Sequence, residues 1–296
     1  MNLTIWQTIF LALLQGITEL FPISSLGNTV IFPGLFGWGD LVGNASFLPL
    51  IVALHLGTAI ALLLYFWRDW LQVLHSLFKS IKDGEVRKGT EEWVSFLIII
   101  GCIPAGLLGV FLQNPLKQLF ASPLIASAYL ILNGSLLFLG ERMRVHALDK
   151  EAGLSAKERE AHFRPLSSLS WKEALVVGTA QALALIPGIS RSGASMVAGL
   201  GIRLNHEDAA RFSFLLGTPI IGAAAILELP QLIGQPNSVL VLILTGMVIS
   251  GVAAFVSTRF LMKYFETRGL YPFAIYCWGL GLIALILFLT VFQARA

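Results

Sequence analysis

The 296-residue chain predicts an all-α polytopic membrane protein, with six transmembrane helices plus two opposed re-entrant helical hairpins in an inverted-topology repeat. Three observations carry that expectation. Hydrophobic residues make up 56% of the chain and charged ones 12%, with a mean hydropathy of +0.79, outside the soluble globular range. Lys and Arg concentrate in alternate connections between apolar segments. Two apolar segments broken by Pro and Gly align with each other, and neither fits a single crossing. Residues 1–296 read as a single membrane domain, with repeats at roughly 1–112 and 171–257 and extra spans at 122–140 and 271–292.

Taken in order, the N-terminal "MNLTIWQTIFLALLQ" has an apolar run but neither a basic n-region nor a small-residue cleavage site. It therefore reads as part of the fold and not as a removable signal peptide. A helical span needs about 20 mainly apolar residues. Six segments qualify: 47–66, 94–112, 122–140, 212–229, 239–257 and 271–292. The connections at 68–93, 141–172 and 258–270 hold five, seven and three Lys or Arg, against one at 113–121 and none at 230–238. The positive-inside rule makes the first three cytoplasmic and the other two external. The span at 47–66 then runs inward, so residues 1–46 begin and end outside, while 171–211 begin and end inside. Each is expected to dip into the membrane and return. Broken backbone at that depth is tolerated only where protein or a water-filled cavity covers it.

The two hairpins resemble each other. Laying "QGITELFPISSLGNT" (15–29) over "QALALIPGISRSGAS" (181–195) without a gap matches Gln15 with Gln181, Ile23 with Ile189, Ser24 with Ser190 and Gly27 with Gly193, at an offset of 166 residues. Three spans lie between the copies, so the copies point oppositely. A site is expected where such repeats meet.

The polar residues sit at the two breaks. Gln15 and Glu19 are spaced i, i+4 and share a helix face ahead of Pro22. Glu19 is the only acidic residue between Met1 and Phe36. A carboxylate in an apolar stretch is costly and marks a functional or ion site; the competing reading is a headgroup-level surface residue. Ser24, Ser25, Gly27 and Asn28 follow at the start of a returning half-helix, where backbone N–H groups and the dipole favour an anion. Ser and Gly are also ordinary packing residues between membrane helices. In the second copy, "PGISRSGAS", Arg191 stands among Gly188, Ser190, Ser192 and Ser195 with no acid near it in sequence. A guanidinium fork beside a Gly-rich turn suits a phosphate group. The competing reading pairs Arg191 with Glu19. Together the hairpins offer a carboxylate, serines, an arginine and two helix N-termini, an inventory for phosphoryl transfer with an acid able to hold a divalent cation.

Other chemistries find no support. The chain lacks GxxxxGK[ST], HExxH and GxSxG. Cys102 and Cys277 lie in spans without paired spacing and read as core filler. His75, His146 and His162 fall in the cytoplasmic connections, and His206 follows a cap in "NHED"; His55 alone lies in a span, able to face the first hairpin. The net charge of +3 reports orientation, with no nucleic-acid motif beside it.

These residues resemble the integral membrane undecaprenyl-diphosphate phosphatases, the bacitracin-resistance family. The resemblance runs through Gln15, Glu19, Pro22, Ser24, Ser25 and Gly27, then through Pro187, Gly188, Ser190, Arg191, Ser192, Gly193 and Ala194, with Ser195 for Thr. It extends to "LHLGTAIALLLYFWR", "RFSFLLGTPIIGAAA" and "PFAIY", covering nearly the whole chain. It implies hydrolysis of undecaprenyl diphosphate at the outer face of the bacterial inner membrane, giving the monophosphate and inorganic phosphate and recycling the lipid carrier for cell-wall synthesis. By the same resemblance Glu19 is the catalytic and metal-associated carboxylate, Ser25 the nucleophile or phosphate ligand, and Arg191 the diphosphate clamp. Gln15, Ser24, Gly27, Asn28, Gly188, Ser190, Ser192 and Ser195 line the substrate, and magnesium or calcium is the cofactor. The expected partners are the lipid and the membrane, with no nucleic acid; a homodimer is left open. Two positions depart from the pattern: Leu26 stands for Thr and Asn28 for a His proposed as general base. That departure keeps a second reading, a non-hydrolytic polyprenyl-phosphate binding protein or transporter.

Overall fold

The computed structural model describes residues 3–42, 44–116, 122–149 and 163–292, and every element among them is helical. The connections at 117–121 and 150–162, including His162, lie outside the described residues. The helices are α1 (Ile5–Thr18), α2 (Ser25–Leu35), α3 (Gly39–Val42), α4 (Phe47–Tyr65), α5 (Trp67–Asp83), α6 (Glu91–Leu116), α7 (Pro123–Asp149), α8 (Trp171–Gln181), α9 (Arg191–Gly201), α10 (His206–Glu228), α11 (Asn237–Phe265) and α12 (Tyr271–Leu287). Six of these, α4, α6, α7, α10, α11 and α12, are long and apolar enough to cross a membrane. Five of the six expected spans fall inside these helices to within a residue, several with an added turn or two at the charged end, and the sixth, 271–292, runs through α12 into a further helical turn at Phe288–Phe292.

The remaining pairs, α1–α2 and α8–α9, are the hairpins. At about 1.5 Å per residue the 14-residue α1 and 11-residue α2 fall short of a hydrocarbon core about 30 Å thick. The copies agree in local detail. Thr4 and Gln7 form a capping box at the start of α1, and Ser170 and Glu173 form one at the start of α8. α2 and α9 are both 11 residues long. Each of these features recurs at the 166-residue offset.

Packing follows the same exchange. α1 lies along α11 as α8 lies along α6; α4 lies along α11 as α10 lies along α6; α4 and α10 pack on each other, and α7 touches both α2 and α9. Small residues allow the close crossings. A Cβ on Gly178 or on Gly57 would collide with the backbone of α6 at Gly101 or of α11 at Met247.

One expectation needs correction. The stretch 68–93 is not a plain connection: it contains α5, which carries His75, and His146 lies on the last turns of α7. Trp67, Leu71, Leu74, Phe78 and Ile81 recur at three- and four-residue intervals and are exposed, so α5 turns an apolar stripe away from the protein. Arg68, Lys79 and Lys82 resemble loop charges in the sequence, yet such charges are normal on the polar face of an interfacial helix. The ion pairs Lys79–Glu92, Arg164–Glu173, His206–Glu141 and Arg211–Asp69 involve residues of the connections expected to be cytoplasmic or of the helix ends beside them.

Candidate functional site

The site grows from the meeting of α2 and α9. Ser24 caps α2 by accepting the Gly27 N–H at 3.2 Å, and Ser190 caps α9 by accepting the Gly193 N–H at 3.1 Å. Ser24 holds a positive φ of 63°, a sparsely populated conformation for a non-glycine residue and a local cost of order 1–3 kcal/mol. The tips then touch reciprocally. A Cβ on Gly27 would lie 3.1 Å from the Gly188 Cα, and one on Gly193 would lie 3.3 Å from the Pro22 Cβ. Pro22 corresponds to Gly188 at the same offset that relates Gly27 to Gly193, as a two-fold relation requires.

The first residue of each half-helix points at one carboxylate. Ser25 Oγ donates to Glu19 Oε2 at 2.6 Å, and Arg191 Nη2 donates to Glu19 Oε1 at 3.5 Å. Gln15 Nε2 donates to Oε2 at 3.0 Å, and His55 Nε2 lies 3.6 Å from the same oxygen. His55 Nδ1 is 2.8 Å from the Ile51 carbonyl, which can only accept, so Nδ1 carries the hydrogen and a neutral ring turns its Nε2 lone pair toward Glu19. Arg191 Nη1 donates to the Ser213 carbonyl at 3.1 Å, and its guanidinium lies against Gly217, where no Cβ would fit. Glu19 and Arg191 are both largely buried, a placement that membrane proteins reserve for paired, functional charges. Two polar atoms here have no partner among the described residues: Gln15 Oε1 and Arg191 Nε. Each is a group that a ligand could satisfy.

Comparison with known proteins identifies the family. The family model described as Bacitracin resistance protein BacA matches residues 8–283. The chain belongs to that family. It is 45% identical over 284 residues to "Undecaprenyl-diphosphatase 1" of Burkholderia pseudomallei (strain 1106a), covering 96% of each chain. It is 42% identical over 285 residues to "Undecaprenyl-diphosphatase" of Acidiphilium cryptum (strain JF-5), covering 94% of this chain and 96% of the other. Against "Undecaprenyl-diphosphatase" of Mycolicibacterium paratuberculosis (strain ATCC BAA-968 / K-10) identity is 43% over 289 residues, 93% and 94% of the two chains.

In this BacA-family chain the other residues singled out by sequence stand further from the carboxylate. Asn28 does not join the cluster. Its Nδ2 donates to the Ile23 and Ser24 carbonyls at 2.8 and 2.7 Å, and its Oδ1 accepts from Tyr276 Oη at 2.6 Å, so it ties down the turn before α2. Ser195 is fully buried, with Oγ bonded to the Arg191 and Ser192 carbonyls and to Ser213 Oγ. Ser190 and Ser192 share a 3.1 Å contact, and Ser192 Oγ reaches the Phe21 carbonyl of the other hairpin at 3.4 Å. Gly188 has a φ of +100° and packs on Ala126 and Tyr129, where a side chain is excluded twice over. These groups shape the frame around the cluster. Sequence reasoning missed Ser213 and Tyr276, which hold Arg191 and Asn28, and Asn133, a buried amide on α7. The signal for Asn133 was a lone amide in the apolar run "YLILNGSLLF".

Proposed function

We propose that this chain hydrolyses undecaprenyl (polyprenyl) diphosphate to the monophosphate and inorganic phosphate. The observation that carries the reading is the convergence of Ser25 and Arg191, each at the start of a half-helix, on the two oxygens of Glu19. The printed names of the relatives agree with it.

The chemistry follows from the geometry. Two capped half-helices aim backbone N–H groups and positive dipole ends at the same point, which favours a diphosphate. Arg191 has one nitrogen without a partner and holds Glu19 only at 3.5 Å, so its guanidinium has donors to offer phosphate oxygens. The attacking oxygen, that of Ser25 or of a water that Ser25 orients, gives its proton to Glu19 as it bonds to the terminal phosphorus. The bond from that phosphorus to the bridging oxygen breaks, and the bridging oxygen keeps the electron pair and leaves with the prenyl monophosphate. Where Ser25 is the nucleophile, a water then attacks the phosphoserine, the seryl oxygen leaves and takes back the proton held by Glu19, and inorganic phosphate is released. His55, on the same carboxylate, is a second proton acceptor, so the base expected at position 28 is supplied from α4 and α1.

The donor set suits a hard divalent cation. Among the described residues no three His, Cys, Asp or Glu gather as a metal site. Magnesium needs only one or two carboxylates and keeps several waters. Glu19, the unpartnered Gln15 Oε1 and Ser25 Oγ would hold magnesium or calcium, which when bound neutralises charge on the phosphates. The site belongs, on this reading, to the outer face of the bacterial inner membrane, because the first hairpin enters from the side opposite the basic connections.

The test is phosphate release from undecaprenyl diphosphate by the purified, detergent-solubilised protein. Wild type releases phosphate and needs magnesium or calcium; Glu19→Gln loses about 10²- to 10⁴-fold, the usual cost of removing a positioned base. An inert wild type that still binds the lipid would give the lead to the binding or transport reading.

A further inference from the structure

Asn133 sits on α7, outside both hairpins, and is fully buried. Its Nδ2 donates to the Pro22 carbonyl at 3.0 Å, and its Oδ1 accepts the Ser190 N–H at 2.9 Å. Pro22 is the break of the first hairpin and Ser190 is the cap of the second. The remaining Nδ2 hydrogen faces Cys277 Sγ at 3.3 Å, so both amide hydrogens are used. One side chain thus satisfies a carbonyl that a broken helix leaves unpaired and an N–H that a helix start leaves unpaired, one from each copy. A primary amide, donor at one atom and acceptor at another, can do both across a gap that a single hydroxyl oxygen would have to span alone. Asn is the shortest residue with that pair.

Resting on the hydrolysis reading, we propose that Asn133 is a positioning residue for the reaction. It fixes the distance between the two half-helix N-termini, and so sets Ser25 and Arg191 against opposite oxygens of Glu19. It touches none of those three side chains in any hydrogen bond recorded among the described residues; it acts through the backbone on either side of the junction. Among the described residues the direct hydrogen bonds between the hairpins, Ser192 to Phe21 and Arg191 to Glu19, are long at 3.4 and 3.5 Å, and Asn133 bridges the hairpins from α7 with shorter bonds to each. A shift of about 1 Å at a reacting centre can cost about 10²-fold in rate. Losing this link acts on the rate more than on binding, since the donors that hold the diphosphate remain.

The experiment compares Asn133→Leu and Asn133→Asp with wild type in the phosphate-release assay, as kcat and KM across pH, on protein that is monodisperse and helical. Leu, of similar size, removes both bonds, and kcat falls at least about tenfold with KM within about threefold. Asp keeps the acceptor for Ser190; ionised, it sets an oxygen against the Pro22 carbonyl, and protonated, it donates to that carbonyl again. Its deficit in kcat is therefore smaller than that of Leu and shrinks as pH falls. A merely structural role would give both variants the same deficit at every pH. That result, or a Leu variant with wild-type kcat, overturns the proposal. If the Leu variant does not fold, the Asp pH series against wild type decides, with a deficit unchanged from low to high pH as the contrary result. An inert wild type would instead remove the hydrolysis reading, and this proposal with it.

Discussion

The two hairpins share a backbone frame and divide the chemistry. Both open with a capping box, both break at a Pro or Gly, and both resume with a Ser cap, a Gly three residues on and an 11-residue half-helix. At equivalent positions of that frame stand Ser25 and Arg191, and Glu19 and Leu185. One copy carries the carboxylate and the hydroxyl, the other the guanidinium. An exact repeat would place two carboxylates or two guanidinium groups at the junction, where like charges repel and neither assists the other. The difference teaches that the shared frame sets two helix N-termini together, and that the proposed chemistry rests on where the two copies differ, at the first residue of each half-helix.

The largest expected effect comes from removing the cation. Arg191→Ala should lower kcat/KM by about 10³- to 10⁵-fold, as removal of an arginine from a phosphoryl-transfer site does. Arg191→Lys should recover little of it, because an ammonium lacks the fork that reaches phosphate, Glu19 and the Ser213 carbonyl together. Steady-state kinetics on the purified variants checks both, and full activity in the Lys variant would show that charge alone suffices.

The next effect tests the frame. Gly188→Ala puts a Cβ against Ala126 and Tyr129 at a φ of +100°, while Gly27→Ala meets the Gly188 Cα and the Ser24 Oγ, each at the milder distance of 3.1 Å. The first should destabilise by about 3 kcal/mol or more and the second by about 1 kcal/mol, from strain and overpacking. Thermal unfolding in detergent ranks them, and equal shifts would contradict the asymmetry at the tips.

Smaller still are the caps. Ser24→Ala and Ser190→Ala should each cost about 1 kcal/mol. Ser24→Gly should cost less than Ser24→Ala, because glycine accepts the 63° φ without strain. Unfolding midpoints for the three variants give the comparison. Least sensitive is Asn28→His, which should change kcat by less than about tenfold, since Asn28 serves the turn and the proposed reaction takes its base from Glu19.

Much of this was legible in the sequence, for physical reasons. The spans were plain because lipid demands about 20 apolar residues. The hairpins were suggested by charge counts that leave each segment beginning and ending on one side, and the short helix pairs α1–α2 and α8–α9 fit that expectation. Glu19 and Arg191 stood out because charge inside lipid is rare. Asn133, Ser213 and Tyr276 were not legible: each acts on a partner far away in sequence, and a single polar residue in a span names no partner. Asn28 drew attention because it lies one turn from Ser25, where a helix projects a side chain on the same side. The strained turn at Ser24 captures that side chain instead. α5 was hidden because its charges were counted before the spacing of its apolar residues was read.

The most direct test of the central claim is a double-mutant cycle on phosphate release, with Ser25→Ala, Arg191→Ala and both together. If the two copies act as one unit through Glu19, the double variant is within a few-fold of the weaker single variant, as for residues that share one catalytic task. If the two losses multiply, Ser25 and Arg191 act independently, and the shared carboxylate is not the centre of the site.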